Sequence, residues 1–164
     1  MKTVFAVLSL LFVAASGRAA DPTYIDQLVE TPAATLQGSF TGLKGEGCYQ
    51  LAADRFLLID IDKKDQKPWR VMVMSNAPCR RPIEVPDMDV RSRAGVELGQ
   101  NAQQVIEHLG QPNATTGTDK DLRRLGAGDM EYFYICRVSE GCARHTSVYL
   151  KDGVVAAIAE WYSQ

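Results

Sequence analysis

Residues 101–112 read NAQQVIEHLGQP and contain a complete helix together with the signals for both of its ends. Asn101 is a favourable N-cap, and Gln104, three positions later, can bond back to the cap residue. The apolar residues recur at helical spacing and form one stripe: Ala102, Val105, Ile106 and Leu109. Gly110 suits the left-handed residue that follows a helix, and the proline two positions later prevents its continuation. The pattern predicts a helix over residues 102–109.

The sequence after this helix changes from a polar segment to strand-like runs. Residues 113–130 are polar, charged and rich in glycine, which predicts a long mobile loop. Three runs typical of β-strands follow over residues 131–137, 144–150 and 154–161. The last two are separated by Lys-Asp-Gly at 151–153, and an Asp-Gly step favours a tight hairpin turn. We therefore expect the C-terminal half to form a helix followed by an antiparallel sheet.

The N-terminal half carries a helix signal followed by a strand pattern. Asp21 is a good N-cap and Pro22 suits the first helical position, so a short helix is predicted over about 22–30. Residues 47–75 contain three apolar-polar runs with short turns between them, which is typical of a three-stranded meander. Residues 76–93 contain three prolines and several charges, and are expected to cross irregularly to the second half.

Together these elements predict an α+β fold in which short helices pack on one face of an antiparallel sheet. Residues 20–93 would supply an N-terminal helix and a three-stranded meander, and residues 94–164 a C-terminal helix-and-sheet unit. No convincing repeat relates the two halves at the level of sequence, so whether the first half is a second copy of the unit stays open.

Residues 1–19 are typical of a secretory signal peptide rather than of the fold. Lys2 precedes an apolar run over residues 4–15, and small residues then lead to a cleavage site near Ala19. The apolar run is shorter than the ~20 residues that a membrane-spanning helix requires. No cysteine lies near the cleavage site, so neither a lipoprotein anchor nor another membrane anchor is predicted. The expected location is the periplasm or the extracellular medium.

Charge and composition exclude several classes of protein. The chain is 46% hydrophobic and 23% charged with a formal net charge of −2, which suits a globular protein and not a disordered chain. Lys2 and Arg18 leave with the signal peptide and no acidic residue does, so the mature chain has a net charge of −4. Such a chain supplies no positive field for nucleic acid, and no nucleic-acid partner is expected.

The four cysteines, Cys48, Cys79, Cys136 and Cys142, all follow the signal peptide. An even number of cysteines in an exported protein indicates disulfides, and four allow three pairings. We favour the local pairing, Cys48 with Cys79 and Cys136 with Cys142, because the second bridge would join two strands across a short turn. A zinc site is disfavoured, since neither pair has the close spacing of structural zinc ligands.

The segment from Leu98 to Trp161 contains several motifs in a fixed order. The helix ends as V-x-x-x-L-G-x-P, an aromatic strand follows with Tyr132-Phe133-Tyr134, and Asp152-Gly153 leads into a strand beginning with two valines. This order resembles the SmpA/OmlA family, which includes a small lipoprotein of the outer-membrane assembly machine. The same helix-and-sheet unit resembles each half of the β-lactamase inhibitory protein. The resemblance covers only the C-terminal half, and it implies a non-enzymatic, protein-binding module with helices on one face of an antiparallel sheet.

The sequence contains no common cofactor or metal motif. Asp60, Asp62 and Asp65 lack the glycine and the late glutamate of a common calcium loop, so Asp60 and Asp62 are expected to lie on a solvated strand face. His108 is expected at the helix surface, and it has no ligand spacing with His145. No known nucleophile, zinc-protease or phosphate-loop motif is present, although the composition still allows a Ser-His-Asp site. We therefore expect no enzymatic activity.

The candidate binding residues are aromatic and basic side chains of the C-terminal half. Strand alternation places Tyr132 and Tyr134 on the face opposite Phe133. A sheet covered by helices on one side exposes its other face, and exposed tyrosine and tryptophan are favoured anchors for partners. Two adjacent arginines in the predicted loop could steer an acidic partner. The proposed protein-binding residues are Tyr132, Tyr134, Tyr149, Trp161, Arg123 and Arg124.

The sequence thus predicts a non-enzymatic, exported protein that binds another envelope or secreted protein and acts in envelope maintenance or assembly. The alternative is an exported inhibitor of a hydrolase such as a β-lactamase or a lytic enzyme. The partner and the oligomeric state are outside what the sequence specifies.

Overall fold

Strands dominate the computed structural model, which describes residues 21–85, 88–93, 95–135 and 144–162. Its helices are α1 (Ile25–Glu30), α2 (Ala33–Leu36), α3 (Ala102–Leu109) and α4 (Lys120–Arg124). Its strands are β1 (Thr23–Tyr24), β2 (Glu46–Ala52), β3 (Arg55–Ile61), β4 (Pro68–Met74), β5 (Ile83–Glu84), β6 (Val90–Arg91), β7 (Ala114–Gly117), β8 (Met130–Ile135), β9 (Arg144–Lys151) and β10 (Val154–Tyr162).

Eight of these strands form one sheet in the order β5-β2-β3-β4-β10-β9-β8-β7. All neighbours in it are antiparallel except β2 and β5. The meander β2-β3-β4 and the meander β8-β9-β10 meet at the centre, where β4 pairs with β10. The predicted α+β fold with an antiparallel sheet is therefore confirmed. The two segments that the sequence divides at residue 93 share this sheet.

The sheet has two faces with separate apolar clusters, because directly paired residues point to the same side. The first face packs against helices α1, α2 and α3 and contains Leu57, Val73 and Ile158. The second face contains Leu58, Met72 and Ala159, and α4 packs against it. Full burial of a side chain such as Leu57 is worth about 1.5–3 kcal/mol, so both clusters stabilise the sheet.

Helix α3 has the predicted bounds and both predicted end signals. The Gln104 backbone N–H donates to Asn101 Oδ1 at 3.0 Å, and the Asn101 N–H donates to Gln104 Oε1 at 2.9 Å. Gly110 follows the helix with φ +78°, a conformation that favours glycine. Val105 is fully buried against the first face, and His108 is exposed as expected.

The start of the first helix differs from the prediction. Helix α1 begins at Ile25 rather than near Pro22, because Thr23 and Tyr24 form a short parallel pairing with Val90 and Arg91. This pairing is extended by the Thr23 N–H, which donates to the carbonyl oxygen of residue 89 at 2.8 Å. The helix signal at Asp21 is therefore overridden by a partner far along the chain.

The prediction of a mobile loop over residues 113–130 is wrong. This segment contains β7, which pairs with β8 at the edge of the sheet, and helix α4. Asp119 caps α4 by accepting the Asp121 N–H at 2.8 Å. Leu122 and Leu125 pack against the second face, so tertiary contacts hold a helix that is too short to form alone.

Two further predictions concern a turn and a disulfide, and both are confirmed. Asp152 and Gly153 have φ values of +53° and +78°, as a tight turn between β9 and β10 requires. Cys48 and Cys79 form a disulfide with a Cα–Cα distance of 6.4 Å, which ties the segment after β4 to β2. The other predicted pair, Cys136 and Cys142, lies outside the described residues.

The expected signal peptide, residues 1–19, also lies outside the described residues. Within the described ranges, no helix has the length and apolar character needed to span a membrane.

Candidate functional site

Both tryptophans of the chain, Trp69 and Trp161, line one groove at the end of the sheet where β3 turns into β4 and β10 finishes. We call it the tryptophan groove. Its volume is about 610 Å³, and its other lining residues are Ile61, Asp62, Lys63, Lys64 and Tyr162. The strand register brings the tryptophans together, because Trp161 pairs with Arg70, the residue that follows Trp69. Such a volume suits a small ligand or a short segment of a partner.

The Trp161 ring is held in place from the second face of the sheet. Its Nε1–H donates to Ser147 Oγ at 3.0 Å, and Ser147 Oγ donates in turn to Glu131 Oε1 at 2.6 Å. The ring centroid lies 4.7 Å from that of His145 and 5.7 Å from that of Phe133. Trp161 is only half-buried, so a ring with a fixed orientation remains partly accessible to a partner.

The Trp69 ring is held by an ion pair between the partly buried Arg70 and the buried Asp60. Arg70 Nη2 lies 2.6 Å from Asp60 Oδ2, and its guanidinium carbon lies 4.7 Å from the centroid of the Trp69 ring. The expectation that Asp60 lies on a solvated face is wrong, because the residue is 6% exposed. Burial raises the pKa of Asp60, and the charge of Arg70 opposes this shift. Arg70 therefore compensates a buried carboxylate and supports a groove residue.

Tyr162, the third ring of the groove, connects it to a cluster of charged residues on the first face. The Tyr162 hydroxyl donates to Glu30 Oε1 at 3.3 Å, and Glu30 also pairs with Arg144. Arg144 lies within 4.0 Å of both Asp26 and Glu160. Burial raises the pKa of Glu160 to about 7, although the hydrogen bond from Thr146 and the charge of Arg144 oppose the shift. This cluster holds helix α1 against the end of the sheet.

We expect the raised pKa of Glu160 to make the protein less stable as pH rises. Between its ordinary value of 4.5 and about 7, the folded protein binds more protons at this carboxyl than the unfolded chain does. The free energy of unfolding should therefore fall across this range, by about 3 kcal/mol, and stay level above it. Urea unfolding measures this at pH 5 and pH 8. Between these values, the free energy of unfolding should fall less in the Glu160→Gln variant than in the unchanged protein, by about 3 kcal/mol.

The control is Glu30→Gln, which removes an exposed carboxylate from the same cluster. It should keep most of the pH dependence, because the charge of Glu30 is the smallest contribution to the raised pKa of Glu160. An unaltered pH dependence in Glu160→Gln would contradict this prediction.

The four predicted aromatic residues do not form one surface. Tyr132 and Tyr134 lie on the first face, where Tyr134 is 7% exposed and donates its hydroxyl to the Gly110 carbonyl at 3.3 Å. Tyr149 lies on the second face and is 3% exposed. Of these residues, Trp161 lines the tryptophan groove.

The two predicted arginines lie in helix α4 rather than in a loop. The Arg123 guanidinium donates to the Thr118 carbonyl at 2.9 Å, and Arg124 lies 3.3 Å from the Asp121 carboxylate. Both side chains are exposed, and neither lines the tryptophan groove.

The acidic residues considered for calcium have other partners in the structure. Asp60 is paired with Arg70, and Asp62 Oδ1 accepts the backbone N–H groups of Lys64 and Asp65. In the part of the chain that the structure describes, no three histidine, cysteine or acidic residues are grouped as metal ligands.

Sequence reasoning did not identify Trp69, Tyr162, Lys63 or Lys64 as site residues. Strand alternation predicts only that Trp69 shares one face with Val71 and Val73, and the charged run that contains the two lysines is typical of a turn. The feature that these four residues share in the sequence is that each lies at or close to the end of a strand. This feature does not show that the strand ends lie together, because the sequence does not reveal that β4 pairs with β10.

This chain has little similarity to known proteins. No protein-family model matches the chain, and no curated protein matches it. Among solved structures, the chain is similar to a DUF4309 family protein from Bacillus subtilis, with 10% sequence identity and a TM-score of 0.44. The alignment covers 84% of this chain and 97% of that chain. A likeness at this identity and TM-score carries no argument about fold or function.

Proposed function

We propose that this chain is a non-enzymatic, exported protein-binding module that acts in the maintenance or assembly of the cell envelope, with the tryptophan groove as its partner surface. The observation that carries the proposal is the convergence of both tryptophans of the chain on one groove, although they come from different halves of the sequence. Tryptophan and tyrosine are the residues most enriched among the anchors of protein interfaces.

The fixed geometry of the rings supports this proposal. Trp161 is held by Ser147 and His145, Trp69 by Arg70, and Tyr162 by Glu30. Side chains that are already ordered lose little conformational entropy when a partner binds, so more of the contact energy appears as affinity.

Export is supported by the sequence of residues 1–19 and by the Cys48–Cys79 disulfide. Disulfides persist in oxidising compartments and are rare in the cytosol. The resemblance of the C-terminal half to the SmpA/OmlA family supports an envelope role and a partner that is itself an envelope or secreted protein.

A photo-cross-linking experiment tests the proposal. Lys64, an exposed residue at the groove, is replaced by a benzophenone amino acid, and the purified protein is irradiated with an envelope fraction of the source cells. We expect one dominant adduct, identified by mass spectrometry and reproduced with the purified partner. The same substitution at Lys120, an exposed residue of α4, is the control and should give no such adduct. Equal adducts at both positions would reject the proposal. So would the absence of an adduct both at Lys64 and, in a second variant, at Asp65, the next exposed residue of the same turn.

The second candidate function is inhibition of a hydrolase such as a β-lactamase or a lytic enzyme. The specific observation in its favour is that each half contains two short helices and then a three-stranded meander: α1-α2 before β2-β3-β4, and α3 and α4 before β8-β9-β10. This agrees with the resemblance of the unit to each half of the β-lactamase inhibitory protein. A panel of such hydrolases assayed with the purified protein tests the candidate, which requires nanomolar inhibition of at least one enzyme.

A further inference from the structure

We infer that the tryptophan groove recognises an acidic peptide segment with an aromatic or aliphatic side chain between its carboxylates. This inference rests on the proposed function, because it names the chemistry of the partner at that surface. It follows from three properties of the groove: a rigid turn, two cationic side chains and three fixed rings.

The turn between β3 and β4 has a backbone that is held in one shape. Asp62 Oδ1 accepts the N–H groups of Lys64 at 2.6 Å and of Asp65 at 3.0 Å. The Gln66 N–H donates to the Asp62 carbonyl at 2.9 Å, and the Gln66 side-chain amide donates to the Lys63 carbonyl at 2.8 Å. The backbone positions of Lys63 and Lys64 are therefore set before any partner binds.

The two ammonium groups give the lining of the groove a net positive charge on a protein that is acidic as a whole. Lys63 and Lys64 are exposed, and neither forms an ion pair within the described ranges. Asp62, the acidic residue of the lining, uses one carboxylate oxygen on backbone N–H groups. Two lysines against one aspartate leave an excess of positive charge, which favours carboxylates in a partner.

The three rings supply the apolar part of the groove. Trp69, Trp161 and Tyr162 line it together with Ile61, and a volume of about 610 Å³ holds one or two large side chains. Buried apolar side chains of a partner would contact these rings, while its acidic residues would reach the lysines at the rim. The combination predicts a segment in which acidic residues flank an aromatic or aliphatic residue.

Other anionic occupants fit the molecule less well. The whole chain has a formal charge of −2, which opposes binding to nucleic acid and to anionic membranes, since both require an extended basic surface. A short peptide interacts mainly with the charges that line the groove. At physiological salt the more distant acidic residues are screened, so they weaken its binding little.

The inference is tested with fluorescein-labelled peptides of about eight residues, a length that gives the extended chain roughly 25 Å of reach. One peptide alternates glutamate with leucine and phenylalanine, and two controls replace glutamate by glutamine or lysine. Fluorescence anisotropy with the full mature protein should show saturable binding of the acidic peptide alone. The double variant Lys63→Glu/Lys64→Glu should raise its Kd at least about tenfold, which corresponds to 1.4 kcal/mol.

The matched control is Lys120→Glu/Lys151→Glu, which makes the same change in net charge at α4 and at the far end of β9. It should change the Kd less than about twofold, well below the tenfold that corresponds to 1.4 kcal/mol. Equal weakening by the two double variants, or equal binding of the glutamine peptide, would overturn the inference. So would tighter binding to vesicles that contain anionic lipid than to the acidic peptide.

The result is also distinguishable from a failure of the proposed function. If the benzophenone at position 64 captures a partner whose affinity is unchanged by Lys63→Glu/Lys64→Glu, the protein-binding function stands and the acidic-segment inference is wrong. If no partner is captured at position 64 or at position 65, the proposed function itself fails.

Discussion

Replacement of Cys48 and Cys79 by serine is expected to lower the free energy of unfolding by about 4 kcal/mol. The bridge joins residues 31 positions apart, so its loss gives the unfolded chain the conformational freedom of a long loop. In the folded protein, Cys48 packs at the edge of the apolar cluster on the second face, and its bridge fixes the segment that follows β4. Urea unfolding of the oxidised protein and of the double serine variant measures the difference.

The second predicted pair provides a comparison for this experiment. Cys136 and Cys142 are six positions apart, so a bridge between them would restrict the unfolded chain less and contribute about 2 kcal/mol. Serine at both of these positions should therefore destabilise the protein less than serine at Cys48 and Cys79. A larger loss from the short-range pair would contradict the chain-entropy account of both bridges.

The Arg70→Met substitution is expected to destabilise the protein by about 3–5 kcal/mol, because it leaves the buried Asp60 carboxylate without its partner. The loss should shrink as pH falls, since burial already raises the pKa of Asp60 and removal of Arg70 raises it further. A neutral carboxyl group costs less to bury than a carboxylate does. Urea unfolding of the variant and of the unchanged protein at pH 7 and pH 4 measures both effects.

The double variant Asp60→Leu/Arg70→Met separates the charge from the packing. Replacing both partners of a buried ion pair with apolar residues is often close to neutral, so most of the lost stability should return. If the double variant is as unstable as Arg70→Met, the loss comes from packing around Trp69 and not from the uncompensated carboxylate.

The elements that were predicted correctly are those whose signals are local. Helix α3 has its cap, its apolar stripe and its stop within the segment from Asn101 to Gly110, and the structure shows the same bounds. The turn at Asp152-Gly153 likewise depends on the conformational preferences of two adjacent residues. Such interactions act between neighbours along the chain and can be recognised without the rest of the fold.

The elements that were missed depend on distant partners. Helix α4 has five residues, and Leu122 within it and Leu125 after it pack against an apolar cluster whose members come from both halves of the sheet. Helix α1 starts late because Thr23 pairs with Val90, which comes much later in the chain. Alternation placed Tyr134 and Phe133 on opposite faces, but it did not show that the face of Tyr134 is the covered one.

The sequence by itself determined the α+β class, helix α3 and the two meanders, because each rests on a short-range pattern. For Cys48 and Cys79, which are 31 positions apart, it only favoured one of three possible pairings. Only the tertiary structure decided that β4 lies beside β10 and that Trp161 pairs with Arg70. Pairing between strands from opposite halves depends on which apolar faces can be buried together, and no local pattern specifies that choice. For this reason the two tryptophans, unrelated in the sequence, become one candidate site in the folded protein.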